Sequence, residues 1–183
     1  TKFMKKLELK AKDFFKSPKK FNVKNILVSG PNSPGEGEHK IYQTIREKAL
    51  KHKDEKSVIY GLDADLIMLT LNHLEFCDYL YLFRETPHFI KSLDKSLEPN
   101  KSYMIDMPKM GEKLVYEMGT SNKDIERESI INDYVFLFFL LGNDFLPHFP
   151  AINIRTNGIS ILLDCYKKTI KNKGYLVSEN KIN

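Results

Sequence analysis

Cysteine is scarce. Cys77 and Cys165 are the two in 183 residues, too few for a disulfide framework or a four-cysteine zinc site, so a reducing compartment is expected. Long apolar runs are missing too. The longest, Tyr134–Leu141, has eight residues, where a bilayer span takes about 20. Nothing near Thr1 resembles a secretory signal. These absences predict an intracellular protein, cytoplasmic or nuclear, with no membrane partner. Repeats, low-complexity tracts and a glycine-rich phosphate loop are also lacking; Gly35-x-Gly37 alone is a weak signal. Arginine is sparse, 4 against 25 Lys, which dilutes any nucleic-acid signal because Arg makes the bidentate phosphate contacts.

What remains is ample for one core. Hydrophobic residues make up 42% of the chain, with 9 Tyr and 12 Phe, which excludes wholesale disorder. The length argues against two full domains. The net charge of +5 is uneven: residues 1–24 carry nine Lys against Glu8 and Asp13, and everything after them sums to −2. A Lys-rich leading arm is attracted to a phosphate backbone, and equally serves as the solvated face of a helix. Charge alone does not decide between these.

Periodicity predicts alternating elements. Asn25–Ser29 reads as a short buried strand closed by Gly30-Pro31. Ile41, Ile45 and Ala49 form an i, i+4, i+8 stripe for a helix after the turn 31–38. Ser57–Leu62 is a second strand, Leu66–Leu71 starts a helix, and Tyr79–Phe83 is a third strand. Strand, helix, strand, helix, strand predicts an α/β fold with a mostly parallel central sheet and flanking helices. Residues 86–123 read as an excursion punctuated by Pro87, Pro99 and Pro108, with one short helix near Gly111–Met118. Helices are predicted over Asp124–Leu141, stopped by Gly142, and over Ile159–Lys168, before a polar, frayed tail at 173–183.

Carboxylates cluster at the element ends. Glu36 and Glu38 precede the first helix of the α/β region, Asp63 and Asp65 follow the second strand, and Asp144 follows the long apolar helix amid Leu140, Leu141 and Leu146. Sites in open α/β sheets form beyond the carboxyl ends of strands, so the three clusters are expected to converge on one crevice. Crowded acids need a cation between them. Hard oxygen donors without Cys favour Mg²⁺ or Mn²⁺, and five acids suit two ions of the kind that support phosphodiester cleavage. His39 and His148 are weaker ligand candidates, and Lys40 and Arg46 are candidate phosphate contacts on the helix after Glu38. Against this stands chance: short acid pairs are common on surfaces, although rarely inside apolar runs.

The strings PGEGEHKI at 34–41, YGLDADLIML at 60–69, and Asp133 through LGNDFLPH at 141–148 resemble the 5′→3′ exoribonucleases of the Xrn family. The likeness covers roughly residues 23–85 and 124–168, in the family's order. It implies a PIN-like nuclease core shared with the flap endonucleases, and processive, metal-dependent hydrolysis of 5′-monophosphorylated single-stranded RNA to mononucleotides. By position it carries over Glu36, Glu38, Asp63, Asp65 and Asp144 as metal ligands, and Asp133 as a recurrent acidic position. The family's opening strand and its 5′-phosphate pocket have no counterpart, and 86–123 departs from the family pattern. The expectation is therefore a core incomplete at its N-terminus that works with the remainder of the nuclease: a Lys-rich arm at 1–24, nuclease core at 25–172, then the tail. The alternatives are a flap-endonuclease-like DNA nuclease, disfavoured because Phe145–Ile154 lacks a glycine-rich DNA-binding turn, and an inactive nuclease-fold RNA-binding module.

Overall fold

Lysine-rich and apolar residues interleave at helical spacing from the first turn, and in the computed structural model Lys2–Phe14 is a helix, α1, capped by the Thr1 hydroxyl. Residues 1–85, 95–118, 124–144, 146–169, 174–178 and 181–183 are described; parts of the predicted excursion (86–94, 119–123), Phe145 and parts of the tail lie outside them. The chain divides into two compact units, Thr1–Thr44 and Ile45–Asn183.

In the first unit, α1 ends in an aromatic cluster. Phe14, Phe15 and Phe21 have ring centroids 4.9–5.5 Å apart, and the Lys20 ammonium lies 5.0 Å from the Phe14 ring centre. Met4, Leu7 and Phe14 on the apolar side of α1 remain exposed. Asn25–Ser29 is not a strand. Its residues alternate between exposed and half-buried, and Leu27 is 84% exposed. Alternation and β-branching favour extended backbone, but a strand exists only where a second one satisfies its ladder. The next helix, α2 (Gly37–Glu47), crosses the boundary between the units. Its buried side is offset from the predicted stripe: Tyr42 and Ile45 are buried, Glu38 and Ala49 half-buried, and Ile41 exposed.

The second unit follows the sequence more closely. A short helix α3 (Ala49–His52) leads to strand β1 (Lys56–Tyr60), helix α4 (Asp65–Leu71) and strand β2 (Tyr79–Glu85). β1 and β2 pair in parallel, with Val58 opposite Tyr81 and Tyr60 opposite Phe83, so α4 belongs to the crossover that a parallel pair requires. Leu80 and Leu82 of β2 are fully buried, whereas Tyr79 is exposed and Tyr81 and Phe83 are half-buried. That is the alternation of a strand with one face on the core.

The excursion holds a strand that periodicity did not reveal. β3 (Ser102–Asp106) pairs antiparallel with β2, Leu82 opposite Ile105, making a three-stranded mixed sheet in the order β1-β2-β3. Short and at the edge, it keeps no residue fully buried, so it carries little apolar pattern. Pro108 does not break structure. It sits in the first turn of α5 (Met107–Glu117), where its missing N–H costs nothing, and the Asp106 carboxylate caps that turn by accepting from the Lys109 N–H at 3.1 Å.

α4 and α5 pack on β2, and α6 (Asp124–Phe139) packs on α5. Leu66, Leu71, Met107, Ile130, Ile131 and Leu137 supply much of the core. α7 (Gly158–Thr169) buries Leu162 and Tyr166. The tail is not simply frayed: Val177–Ser178 (β4) pairs antiparallel with Lys181–Ile182 (β5). No helix among the described residues is long and apolar enough to cross a membrane.

Candidate functional site

β1 ends at Tyr60, and the next residues carry the acid pair past the carboxyl end of the parallel strands. Asp63 is exposed and its Oδ1 accepts the Asp65 N–H at 3.3 Å, a local turn that starts α4. Asp65 is half-buried in the first turn of that helix, where exposed N–H groups favour a negative charge. Strand β2 brings two more polar groups to the same end. The Arg84 guanidinium donates to the Leu62 carbonyl at 2.8 Å, and the Tyr60 hydroxyl donates to Glu85 Oε1 at 3.1 Å. That bond and the Glu85 charge push the Tyr60 hydroxyl above its ordinary pKa. Arg84 and Glu85 therefore each bind the end of β1 or the residues just after it. Arg84 is thus a cationic group at the same strand end as Asp63 and Asp65 that the acid spacings did not point to. Its signal was its place at the carboxyl end of the strand beside the Asp63–Asp65 strand.

Asp144 lies in a turn beyond α6. Gly142 makes that turn with φ +83°. A β-carbon there would sit 2.7 Å from the His148 backbone nitrogen, so the chain doubles back closely over the helix end. The Asn143 side chain accepts the Leu146 N–H at 2.8 Å, and the Phe149 N–H donates to the Leu140 carbonyl at 2.8 Å. Asp144 is exposed on this turn, and so is its apolar neighbour Leu146, so the acid is not enclosed as its sequence context suggested. His148 is also exposed, with Nδ1 3.1 Å from the Phe149 carbonyl oxygen.

The first unit carries Glu36 and Glu38. Glu36 is exposed with His39 Nε2 3.9 Å from its carboxylate, and Glu38 is half-buried in the first turn of α2. The two cations proposed to meet RNA have partners within the chain. The Lys40 ammonium donates to the Gly30 carbonyl at 3.3 Å. Arg46 Nη1 lies 2.5 Å from Nε2 of the buried His73, whose Nδ1 is 2.6 Å from the Leu69 carbonyl oxygen; the imidazole thus donates from Nδ1 and accepts at Nε2.

Asp133 has a different place from the other acids. Fully buried on α6, it accepts from the Tyr166 hydroxyl at 2.7 Å and from the backbone N–H groups of Leu176 and Val177 at 3.0 and 2.8 Å. Burial, and then this bond, push the Tyr166 hydroxyl far above its ordinary pKa. Three donors converging on one buried carboxylate satisfy it internally, and they tie the 175–178 segment to α6 and α7. The role that the structure gives it is to hold the fold.

The carboxylate-only donor set has the chemistry a hard divalent cation needs. Among the described residues, however, no three or more His, Cys, Asp or Glu side chains form a group able to hold a metal ion. Within the second unit, Asp144 does not join Asp63 and Asp65 into such a set.

Comparison with known proteins gives the context of these residues. Residues 1–86 match the XRN 5′-3′ exonuclease N-terminus, and residues 122–183 match the Xrn1 helical domain. The chain is 35% identical over 196 residues to 5′-3′ exoribonuclease 1 of Homo sapiens, covering 98% of this chain and 11% of that protein. It is 33% identical over 167 residues to 5′-3′ exoribonuclease 1 of Schizosaccharomyces pombe, covering 86% of this chain and 12% of that protein. Against 5′-3′ exoribonuclease 2 of the same yeast it is 35% identical over 190 residues, covering 88% of this chain and 19% of that protein. It thus spans between a tenth and a fifth of the length of these relatives. With its strand-end acid pair and glycine-turned Asp144 inside the matched segments, the chain belongs to the Xrn family of 5′→3′ exonucleases.

Proposed function

We propose that this chain carries catalytic carboxylates of a 5′→3′ exoribonuclease that hydrolyses 5′-monophosphorylated single-stranded RNA to nucleoside monophosphates. The observation that carries the reading is the Asp63–Asp65 pair beyond the carboxyl end of β1, inside a segment matched to the family's exonuclease domain. The ligands proposed for two Mg²⁺ or Mn²⁺ ions are Glu36, Glu38, Asp63, Asp65 and Asp144. The described residues of this chain do not gather them into one metal-holding group, so they are proposed to come together only with the remainder of the nuclease. Such ions, when bound, offset charge on the attacking and leaving oxygens. The chain's own part is to hold the acids rigidly. Asp65 is fixed by the first turn of α4 and Asp63 by its bond to the Asp65 N–H. The buried clamp on Asp133 supports this reading indirectly, since it assigns that acid to the fold and leaves the exposed or half-buried acids for chemistry.

Asp65→Asn tests it. Removing one ligand costs several kcal/mol of transition-state stabilisation, of the size lost with one electrostatic donor, roughly 3–4 kcal/mol. The expected outcome is loss of hydrolysis of a 5′-monophosphate RNA in Mg²⁺, with the metal-free melting temperature level or higher. Near-full rate in Asp65→Asn would refute the assignment. A sharp fall in metal-free stability would make Asp65 a structural acid instead.

A further inference from the structure

Glu8 is an acid in the lysine-rich helix that takes no part in the proposed metal chemistry. Its side chain is 7% exposed, unusual for a carboxylate on a helix that leaves most of its residues in water. It accepts from the Lys12 ammonium at 2.5 Å and from the Asn32 side-chain amide at 3.0 Å. Asn32 is 24 residues away in sequence, in the turn that leads to Glu36 and Glu38. Gly30 adds an independent sign of close approach: a β-carbon there would fall 2.2 Å from the Glu8 carboxyl carbon. φ at Gly30 is not positive, so it is contact with Glu8, not backbone strain, that the absent side chain serves.

The same turn is held from its other side. The Gly30 carbonyl accepts from the Ser33 N–H at 3.1 Å and from the Lys40 ammonium at 3.3 Å, and the Lys40 N–H donates to the Glu36 carbonyl at 3.1 Å as α2 begins. Glu36 and Glu38 thus sit between two anchors, Glu8 through Asn32 before them and Lys40 after them. We infer that Glu8 is a positioning residue: it docks the Gly30–Asn32 turn on α1 and thereby fixes the Glu36/Glu38 segment. Lys12 holds the Glu8 carboxylate in place, and Lys40 closes the turn on the Gly30 carbonyl. This role in catalysis rests on the proposed function of Glu36 and Glu38; the docking itself does not.

The test compares the whole chain with Glu8→Ala, Glu8→Gln, Gly30→Ala and the Glu8→Ala/Gly30→Ala double variant. Amide hydrogen exchange is read over residues 31–40, and kcat and KM on a 5′-monophosphorylated RNA alongside it. Losing a buried, charge-assisted bond should speed exchange in that segment about tenfold or more. Glu8→Gln, which still accepts from Asn32, should restore most of the protection. Gly30→Ala should loosen the segment in the wild-type background and do far less once Glu8 is Ala, because the clash partner is gone. In kinetics, Glu8→Ala should lower kcat about tenfold with KM unchanged, and Glu8→Gln should recover it. Unchanged exchange at 31–40 in Glu8→Ala, or an equal Gly30→Ala effect in both backgrounds, overturns the docking. Faster exchange with unchanged kcat overturns the positioning role. A wild-type chain that does not hydrolyse the RNA overturns the proposed function, and the exchange data then decide the docking alone.

Discussion

Replacing Asp133 separates a fold-holding acid from a catalytic one, and the size of the effect follows from its three bonds. Asp133→Ala leaves the Tyr166 hydroxyl and the Leu176 and Val177 N–H groups without their acceptor. Each unmet buried donor costs about 1–3 kcal/mol, more toward the upper end when the lost acceptor was charged. Leu176 and Val177 are half-buried, so water recovers part of their loss, and removing a buried carboxylate also relieves its own desolvation. The net expectation is a loss of about 3 kcal/mol, a large fraction of the roughly 5–15 kcal/mol that holds a typical domain. Asp133→Asn should cost less, about 1–2 kcal/mol, because its one oxygen can keep the Tyr166 and Leu176 bonds while its amide faces the Val177 N–H donor to donor. Urea unfolding measures the totals. Hydrogen exchange at Leu176 and Val177 locates them, since those amides should lose protection in Asp133→Ala before the β1–β2 ladder does. A cost below about 1 kcal/mol with both amides still protected would refute the clamp and return Asp133 to the candidate ligands.

Gly142→Ala should destabilise by about 1–3 kcal/mol, because φ is +83° and the new β-carbon meets the His148 backbone; a melting temperature within a degree of wild type would contradict that geometry. Glu75 has its pKa raised, first by burial and then by Glu128. A raised carboxyl gives stability that is complete below its unfolded pKa and lost as pH rises through the folded one. Glu75→Gln should therefore stabilise at pH 7, by no more than about 1 kcal/mol at this exposed site, and the gain should vanish below about pH 4; a gain independent of pH would exclude the carboxyl pair as its cause. On the arm, Lys12 is held by Glu8 and Lys20 lies over Phe14, so neutralising Lys5, Lys6 and Lys19 should affect RNA binding more than neutralising Lys12 and Lys20. A filter-binding titration against salt reads this as a flatter slope, and an unchanged slope would make the arm a solvated face.

Local pattern was enough for elements that bury one regular face. β1, α4, β2, α6 and α7 all lie where apolar periodicity or a β-branched run put them; α6 stops at Phe139, two residues short of the predicted Leu141, and Gly142 turns the chain just beyond it with φ +83°. The identity of the acids was also legible, because D-x-D after a strand and E-x-E before a helix are spacings along the chain. Pairing and burial were not, since they depend on residues far apart in sequence. β3 exists because β2 offers it an edge, and its own residues say little. Asn25–Ser29 has a strand's composition without a ladder. Asp133 looks like Asp144 in sequence, each an acid beside a long apolar run, yet one is fully buried under Tyr166 and the 176–177 backbone and the other stands in water. Glu8 reads as one more charge in a lysine-rich helix until the turn at Gly30–Asn32 closes on it. Sequence determined which residues could do chemistry; only tertiary structure decided which carboxylates were met by donors of the protein itself, because a hydrogen bond across 24 to 44 residues has no periodicity to announce it.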